Sequence, residues 1–294
     1  VDGSGAALVP TTAMAAASIT KTFVAAEVLR LAEAGRVDLD APLSTYVRHD
    51  LTANGATVRQ HLAMRAGAPD FIPVDYASID RAFSAAPSRH WTVGEALDYV
   101  SGPLGHPGQP YSYSNPSFML LGMLVEKVTG HPLAVALRRD LVDPAGLARF
   151  ALQDVERPAL PIARSPSGFC GELFDGFIPC RSLASALGGA GAVAADAPTV
   201  ARWGYQLYGA RVVSLEVVDQ MTAGDGEYGL GTVRFSGRLG LGEGFGHRGG
   251  APGYSSLLVV VPEYRTSVAI MLADGDKNVD TVAVRLMNAI QKLR

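Results

Sequence analysis

Apolar residues recur at helical spacing over much of the first two thirds of the chain. Between Ser18 and about Ala34, Phe23, Val24, Val28, Leu31 and Ala32 follow that period and Gly35 supplies a stop, which predicts a helix. A turn over Val37–Pro42 leads to a short helix at Leu43–Val47, and Val58–Ala66 reads as helical until Gly67 and Pro69 end it. Residues 67–92 are irregular. Thr92 and Glu95 form a capping box ahead of a helix over Val93–Val100. Pro116 opens a longer helix to Val128, apolar at Phe118, Leu121, Leu124 and Val125 and stopped by Gly130, and another follows over Pro132–Leu141. Beyond the Gly/Ala-rich stretch 186–195 and one more helix, Pro198–Tyr208, the pattern turns strand-like. Tyr228–Phe235, Leu239–His247, Tyr254–Val261 and Ser267–Ala273 are separated by Gly, Pro and Asp, at spacings that predict antiparallel hairpins. Val279–Leu293 closes the chain as a helix. The fold class predicted is α+β: an antiparallel sheet flanked by helices, with a helical middle.

Composition narrows the function. Of 294 residues, 48% are hydrophobic and 18% charged, enough for a large core and about two domains at about 150 residues each. Lys+Arg number 25 against Asp+Glu 28, a net charge of −3 with no basic run, so nucleic acid is not an expected partner. The longest apolar run, Leu257–Val261, falls far short of the roughly 20 residues of a membrane span. Lys21, Glu27 and Arg30 interrupt the Ala-rich start, which reads as neither a span nor a signal peptide. The chain opens on Val1 rather than Met, so a segment upstream is expected to have been removed or not shown. Two cysteines, Cys170 and Cys180, and six scattered histidines offer no four-ligand spacing, so no metal and no cofactor are expected. The cysteine pair leaves open a local disulfide or two free thiols.

Three short motifs carry chemistry: Ser18–Ile19–Thr20–Lys21, Tyr113–Ser114–Asn115 and His247–Arg248–Gly249. Singly each is weak; in this order, at a helix start, a loop before a helix and a strand, they reinforce one another. A serine hydroxyl is a poor nucleophile unless a base adjoins it. Positions i and i+3 share a helix face, so Lys21 reaches the Ser18 hydroxyl, and a desolvated lysine can serve as that base. Lysine is scarce here, 4 residues against 21 arginines. Tyr113 is the candidate second proton carrier, and Asn115 holds the Lys21 ammonium or a substrate amide. On a strand, alternation places His247 and Gly249 on one face and Arg248 on the other. The missing side chain at Gly249 admits a substrate backbone, and the N–H groups of Ser18 and Gly250 are candidate oxyanion donors. The structural alternatives are an N-cap at Ser18, a loop anchor at Tyr113 and a satisfied strand residue at His247. Arg248, His61 and the cysteines are read as structural.

These motifs resemble those of the penicillin-binding-protein and class C β-lactamase family of serine hydrolases. The similarity extends through Gly35–Pro42, Tyr111–Gly130, Gly188–Trp203 and Gly246–Ser256, and so covers nearly the whole chain. It implies a β-lactamase/transpeptidase-like fold, with an α/β domain from residues 1–45 and 186–294 and an all-helical domain over 46–185. It also implies an acyl-enzyme mechanism in which Ser18 attacks a carbonyl while Lys21 and Tyr113 move protons. No acidic residue is assigned as a separate deacylation base, so Tyr113 serves both halves. The family's third motif often carries Lys where this chain has His247, a replacement similar to streptomycete-type D-alanyl-D-alanine carboxypeptidases and to D-amino-acid amidases. Arg248 and Gly250 stand where those carboxypeptidases have hydroxyl residues, which puts carboxylate recognition in doubt. His61–Phe71 is a drifted form of a segment that usually reads T-H-T-S-G. Only 17 residues precede Ser18, where the family has a helix and two strands, so the sheet is expected to lack strands unless another segment or a partner chain supplies them.

Three functions follow from the resemblance. The leading one is a D-alanyl-D-alanine carboxypeptidase or penicillin-binding protein acting on peptides and binding β-lactams. The second is an esterase or D-amino-acid amidase on a small substrate. The third is a catalytically weak module that binds penicillin or peptidoglycan. Peptidoglycan substrates imply a location outside the cytoplasm, in the periplasm, in the cell envelope or secreted, where disulfides persist.

Overall fold

The computed structural model describes all residues except 71–80, 101, 166–168, 171–174, 225, 238, 240–241 and 293–294. In chain order the first half comprises β1 (Met14–Ala15), α1 (Thr20–Glu33), α2 (Val58–Leu62), α3 (Val93–Leu97), α4 (Asn115–Thr129), α5 (Leu133–Leu137) and β2 (Ala151–Leu152). The second half comprises α6 (Arg181–Leu187), β3 (Val193–Ala195), α7 (Ala197–Leu207), α8 (Leu215–Thr222), β4 (Val233–Arg234), β5 (Phe245–Ala251), β6 (Tyr254–Val261), β7 (Thr266–Leu272) and α9 (Val279–Lys292).

The larger sheet is antiparallel in the order β4–β5–β6–β7, paired from Phe245↔Val260 to Ala251↔Tyr254 and from Ser255↔Leu272 to Val261↔Thr266. The period-two geometry of β6 explains its unbroken apolar run. Leu257, Val259 and Val261 face α9 and pack with Val268, Ile270, Ala283 and Met287, while Leu258 and Val260 join the main core. Both faces are covered, so Leu257–Val261 is apolar throughout. β7 lies at the edge; among the described residues no strand pairs with its far side.

Several boundaries differ from those the pattern predicts. The strand expected over Tyr228–Phe235 is only two residues long, because Gly231 turns the chain at φ 70° and its N–H binds Leu62 O instead of a ladder. The strand expected from Leu239 starts at Phe245, and residues 240–241 lie outside those described. The helix at Val58 is shorter than its pattern, since Met64 takes φ 56°. Of the stretch expected to be irregular, residues 81–85 are helical and 71–80 lie outside the described residues. The helix over Pro132–Leu141 changes character at Arg138 and finishes as a π turn to Val142. The caps held: Thr92 and Glu95 bond reciprocally, and Gly130 ends α4 in the left-handed conformation. No single helix among the described residues is long and apolar enough to cross a membrane. α4 with the following helix passes that test only as a pair bent by 75°.

A second sheet, β1–β3–β2, is absent from the predicted elements, being built from pieces of two or three mostly alanine residues. It fixes the approach to the first motif. The Ala16 N–H donates to Val193 O at 2.9 Å, and the Thr20 hydroxyl accepts from the Val193 N–H at 3.0 Å and donates to Ala17 O at 2.6 Å. Ala17 is held at φ 48°, an uncommon conformation for a residue with a Cβ. A single 3₁₀ turn, Ala17–Ile19, then leads into α1. Ser18 therefore sits in that turn rather than in the first turn of the α-helix.

α1 is buried nearly all round. The Phe23 ring stacks on Trp203 at 3.9 Å between centroids, and Trp203 Nε1 donates to the Thr22 hydroxyl. β5 packs against the 3₁₀ turn, and here Gly249 finds a reason other than the one its sequence suggested. A Cβ at Gly249 would lie 2.2 Å from Ala16 O and 2.2 Å from Ser256 Oγ. The backbone it admits is the protein's own, and the Ser256 hydroxyl donates to the same Ala16 carbonyl at 2.8 Å. Gly249→Ala must push β5 and the Ala17–Ile19 turn apart. Urea unfolding should show a loss of about 2 kcal/mol or more, the cost typical of overpacking a tight contact. Activity should fall further than stability alone explains, because Ser18 moves with the turn.

Candidate active site

The structure brings Ser18, Lys21, Tyr113 and Asn115 together from the 3₁₀ turn, α1, the loop before α4 and the first residue of α4. Lys21 Nζ lies 3.0 Å from Ser18 Oγ, 2.8 Å from Asn115 Oδ1 and 2.6 Å from Ala190 O. The Tyr113 hydroxyl donates to Ser18 Oγ at 2.8 Å. Ala190 reaches Lys21 because a 3₁₀ turn, Gly188–Ala190, presses onto α4; a Cβ at Gly189 would meet Phe118 O at 2.7 Å. Asn115 is placed by the N-terminus of α4, where the Ser114 side chain caps the Ser117 N–H.

Lys21 is fully buried, and its surroundings dictate its chemistry. Burial penalises the ammonium and lowers its pKa from the usual 10.5 to about 7, the negative charge of Asp70 acting in the opposite direction. Two of its three partners, Ala190 O and Asn115 Oδ1, are pure acceptors. An ammonium donates to all three. A neutral amine has two N–H bonds for those two acceptors, and its lone pair is left facing Ser18 Oγ. Loss of one proton would therefore leave the Lys21 lone pair directed at the Ser18 hydroxyl without moving an atom. Burial raises the pKa of Tyr113 far beyond neutrality, so its hydroxyl keeps its proton and can donate it.

His247 lies on the same side as Tyr113, with their ring centroids 6.4 Å apart. Its Nδ1 is 2.5 Å from Arg248 O and its Nε2 is 3.1 Å from the Tyr228 hydroxyl. A carbonyl only accepts, so Nδ1 carries the hydrogen, and Nε2 accepts from Tyr228. Burial first and the Lys21 charge second lower its pKa from 6.5 to about 3. His247 is a neutral ring with both nitrogens engaged, in keeping with the satisfied strand residue that its sequence position left open. Arg248 points away, as alternation predicts, and makes a bidentate ion pair with Asp280 of α9 at 2.8 and 3.0 Å. His61 is buried with Nδ1 on Ser117 Oγ, beneath α4 and outside this cluster.

A cavity of about 500 Å3 opens on Ser18. Gly250 is exposed on its wall, with open space where a side chain would be, whereas the neighbouring Gly249 is buried. The remaining walls are largely apolar: Phe83, Phe169, Leu183, Leu187 and Tyr254. Asp276 is the one charged residue on those walls among the described residues. Phe169 adjoins Cys170, which is bonded to Cys180.

Two residues at the site were not singled out from the sequence. Tyr228 lies within an expected strand, and nothing in that pattern marks it. Asp70 lies in the drifted segment His61–Phe71, and its carboxylate accepts from the backbone N–H of Asn115 at 3.2 Å and from its Nδ2 at 3.2 and 3.4 Å. Among the described residues no group of acidic, cysteine or histidine side chains has the geometry to hold a metal ion.

The fold and this geometry can be set beside known proteins. Protein flp of Staphylococcus aureus (strain NCTC 8325 / PS 47) is 31% identical over 125 residues, 41% of this chain and 24% of that protein, so the chain spans about a quarter of that relative's length. Esterase EstB of Burkholderia gladioli is 30% identical over 158 residues, 49% of this chain and 40% of the esterase. Among solved structures, a D-stereospecific amidohydrolase from Streptomyces sp. superposes with a TM-score of 0.78 at 26% identity, covering 93% of this chain and 85% of that one. The sequence profile of the Beta-lactamase family matches residues 2–290, and the chain belongs to that family.

Proposed function

We propose that this protein is an acyl-enzyme serine hydrolase that cleaves small amides or esters with an apolar acyl group, in the manner of an amidase or esterase. The observation that carries the reading is the charge of the cavity beside Ser18. Its described walls are apolar with a single carboxylate, Asp276, and no cation. A substrate carboxylate placed there would be desolvated without a partner, at a cost of several kcal/mol. His247 is neutral and Arg248 is tied to Asp280, so neither offers the anchor a D-alanyl-D-alanine carboxypeptidase requires. The same reasoning weighs against β-lactams, which carry a carboxylate, as preferred substrates. An acyl group bearing an ammonium, as in an amino acid amide, suits Asp276. The similarity to a D-stereospecific amidohydrolase and to an esterase points the same way.

In the proposed reaction Ser18 Oγ attacks the carbonyl carbon while its proton passes to neutral Lys21. The N–H groups of Ser18 and Gly250 receive the oxyanion. Tyr113, whose hydroxyl touches Oγ, protonates the departing amine or alcohol and is resupplied from the Lys21 ammonium. Water then attacks the ester with Lys21 and Tyr113 reversing these roles, so no separate carboxylate is needed. The intact hydrogen-bonded set of Ser18, Lys21, Tyr113 and Asn115 supports an enzyme over a module that only binds. A location outside the cytoplasm belongs to the same proposal, supported by the Cys170–Cys180 bond.

Mass spectrometry tests the nucleophile. A fluorophosphonate should add to the peptide holding Ser18, and Ser18→Ala should remove the adduct; labelling that survives sinks the assignment. Lys21→Ala and Tyr113→Phe should each reduce kcat by about 100-fold or more, and the double variant should be little worse than either, because the two groups act as a unit.

The pH profile follows from the active form being the neutral amine. kcat/KM for an uncharged ester should be low at pH 5, rise through about pH 7 as Lys21 loses its proton, and stay level to pH 9. His247, titrating near 3, should add no step in that range. Amino acid amides with apolar side chains should be turned over, and D-alanyl-D-alanine peptides should react poorly at every pH. Efficient release of D-alanine would return the protein to the carboxypeptidases.

A further inference from the structure

The mechanism assigns Asn115 the task of accepting from Lys21, but an asparagine amide has two ends. Only the oxygen can accept; turned over, the NH2 would face the Lys21 nitrogen and offer it nothing. The rotation is settled on the far side of the amide. There Asn115 Nδ2 lies 3.2 and 3.4 Å from the two carboxylate oxygens of Asp70, and the Asn115 backbone N–H reaches the first of them at 3.2 Å. A carboxylate accepts and never donates, so the NH2 must point at Asp70 and Oδ1 must point at Lys21. Asp70 is buried, which makes an unpaired rotation costly at both ends.

We propose that Asp70 is a positioning residue: by holding the Asn115 amide with its oxygen toward Lys21, it directs the Lys21 lone pair onto Ser18. The chain of contacts runs Asp70–Asn115–Lys21–Ser18 and crosses from the loop before residue 71 through α4 to α1. Asp70 acts through Asn115, with which it makes these three contacts. This role rests on Lys21 serving as the base, as proposed above.

A second effect accompanies the first and makes the role measurable. Among the described residues, the titratable groups facing Lys21 are Asp70 from that loop, Tyr113 from the segment before α4, and His247 from β5. Tyr113 is a neutral phenol and His247 a neutral imidazole across the working range. Asp70 is the carboxylate whose charge opposes the effect of burial on Lys21. Its negative charge stabilises the ammonium, so removing it should make the ammonium easier to deprotonate.

Two consequences of Asp70→Asn therefore point in opposite directions. The acid limb of the reaction should move to lower pH, by about one unit, the size of a nearby-charge effect. The plateau rate should nevertheless fall, by about tenfold, because the amide loses its fixed rotation and the amine its aim. A residue with a merely structural role would lower the plateau and leave the limb where it was.

The readout is the rate of Ser18 labelling by a fluorophosphonate from pH 5 to 9, followed by intact mass, which requires no knowledge of the natural substrate. A second variant, Asp70→Asn with Asn115→Asp, moves the carboxylate into contact with Lys21 and keeps one buried anion in the pair. Its limb should move to higher pH than wild type. Opposite shifts in the two variants support the proposal. A limb within about 0.3 of wild type in both, or a single variant with an undiminished plateau, overturns it. Failure of wild type to label at Ser18 would overturn the catalytic reading itself, a result distinct from labelling with unmoved limbs.

Discussion

One buried lysine organises this molecule. Lys21 Nζ has no access to water, so each of its hydrogens must find an acceptor within the protein. One partner, Ser18, comes from the turn just before α1, and two arrive from parts of the chain remote in sequence, the start of α4 and the turn at Ala190. Each arrival has its own local cause. The small sheet and the Thr20 hydroxyl fix the first, the Ser114 cap fixes the second, and the close approach of Gly189 to α4 fixes the third. The core is thereby committed to a geometry in which one amine, its pKa lowered to about 7 by burial, gains or loses a proton near neutral pH.

How much of this was legible in the sequence differed with the range of the interaction. The pairing of Ser18 with Lys21 is a matter of helical spacing, and Tyr113 precedes and Asn115 opens a helix whose start and stop are written in Pro116 and Gly130. β6 was readable because both its faces are buried. The small sheet was not, since Met14–Ala15 and Ala151–Leu152 have no period and exist only because Val193–Ala195 lies between them. Asp70 was hidden for a similar reason. A single carboxylate in an irregular stretch gains meaning only from the amide that tertiary structure places against it.

His247 illustrates a further limit. Its position on β5 was foreseeable, but the ring's charge depends on what meets each nitrogen, and one of those groups, Tyr228, comes from a segment that fails to form its expected strand. The residue type left the charge open; the packing makes it a satisfied, uncharged ring. The same applies at Gly249, where sequence allowed a ligand's backbone and the fold supplied its own.

The groups at Ser18, Lys21 and Asn115 stand on a 3₁₀ turn and helices locked into the core, whereas the cavity walls beyond Gly250 come from short, separate stretches around residues 83, 169, 183–187, 251–254 and 275–276. Reactivity and selectivity thus reside in different material. Changes to those stretches can resize or recharge the cavity without disturbing the lysine, and each stretch can drift independently of the others. A chain built this way is free to acquire new substrates piecemeal while its chemistry stays fixed, and the disulfide beside Phe169 staples one of the drifting pieces without constraining the rest.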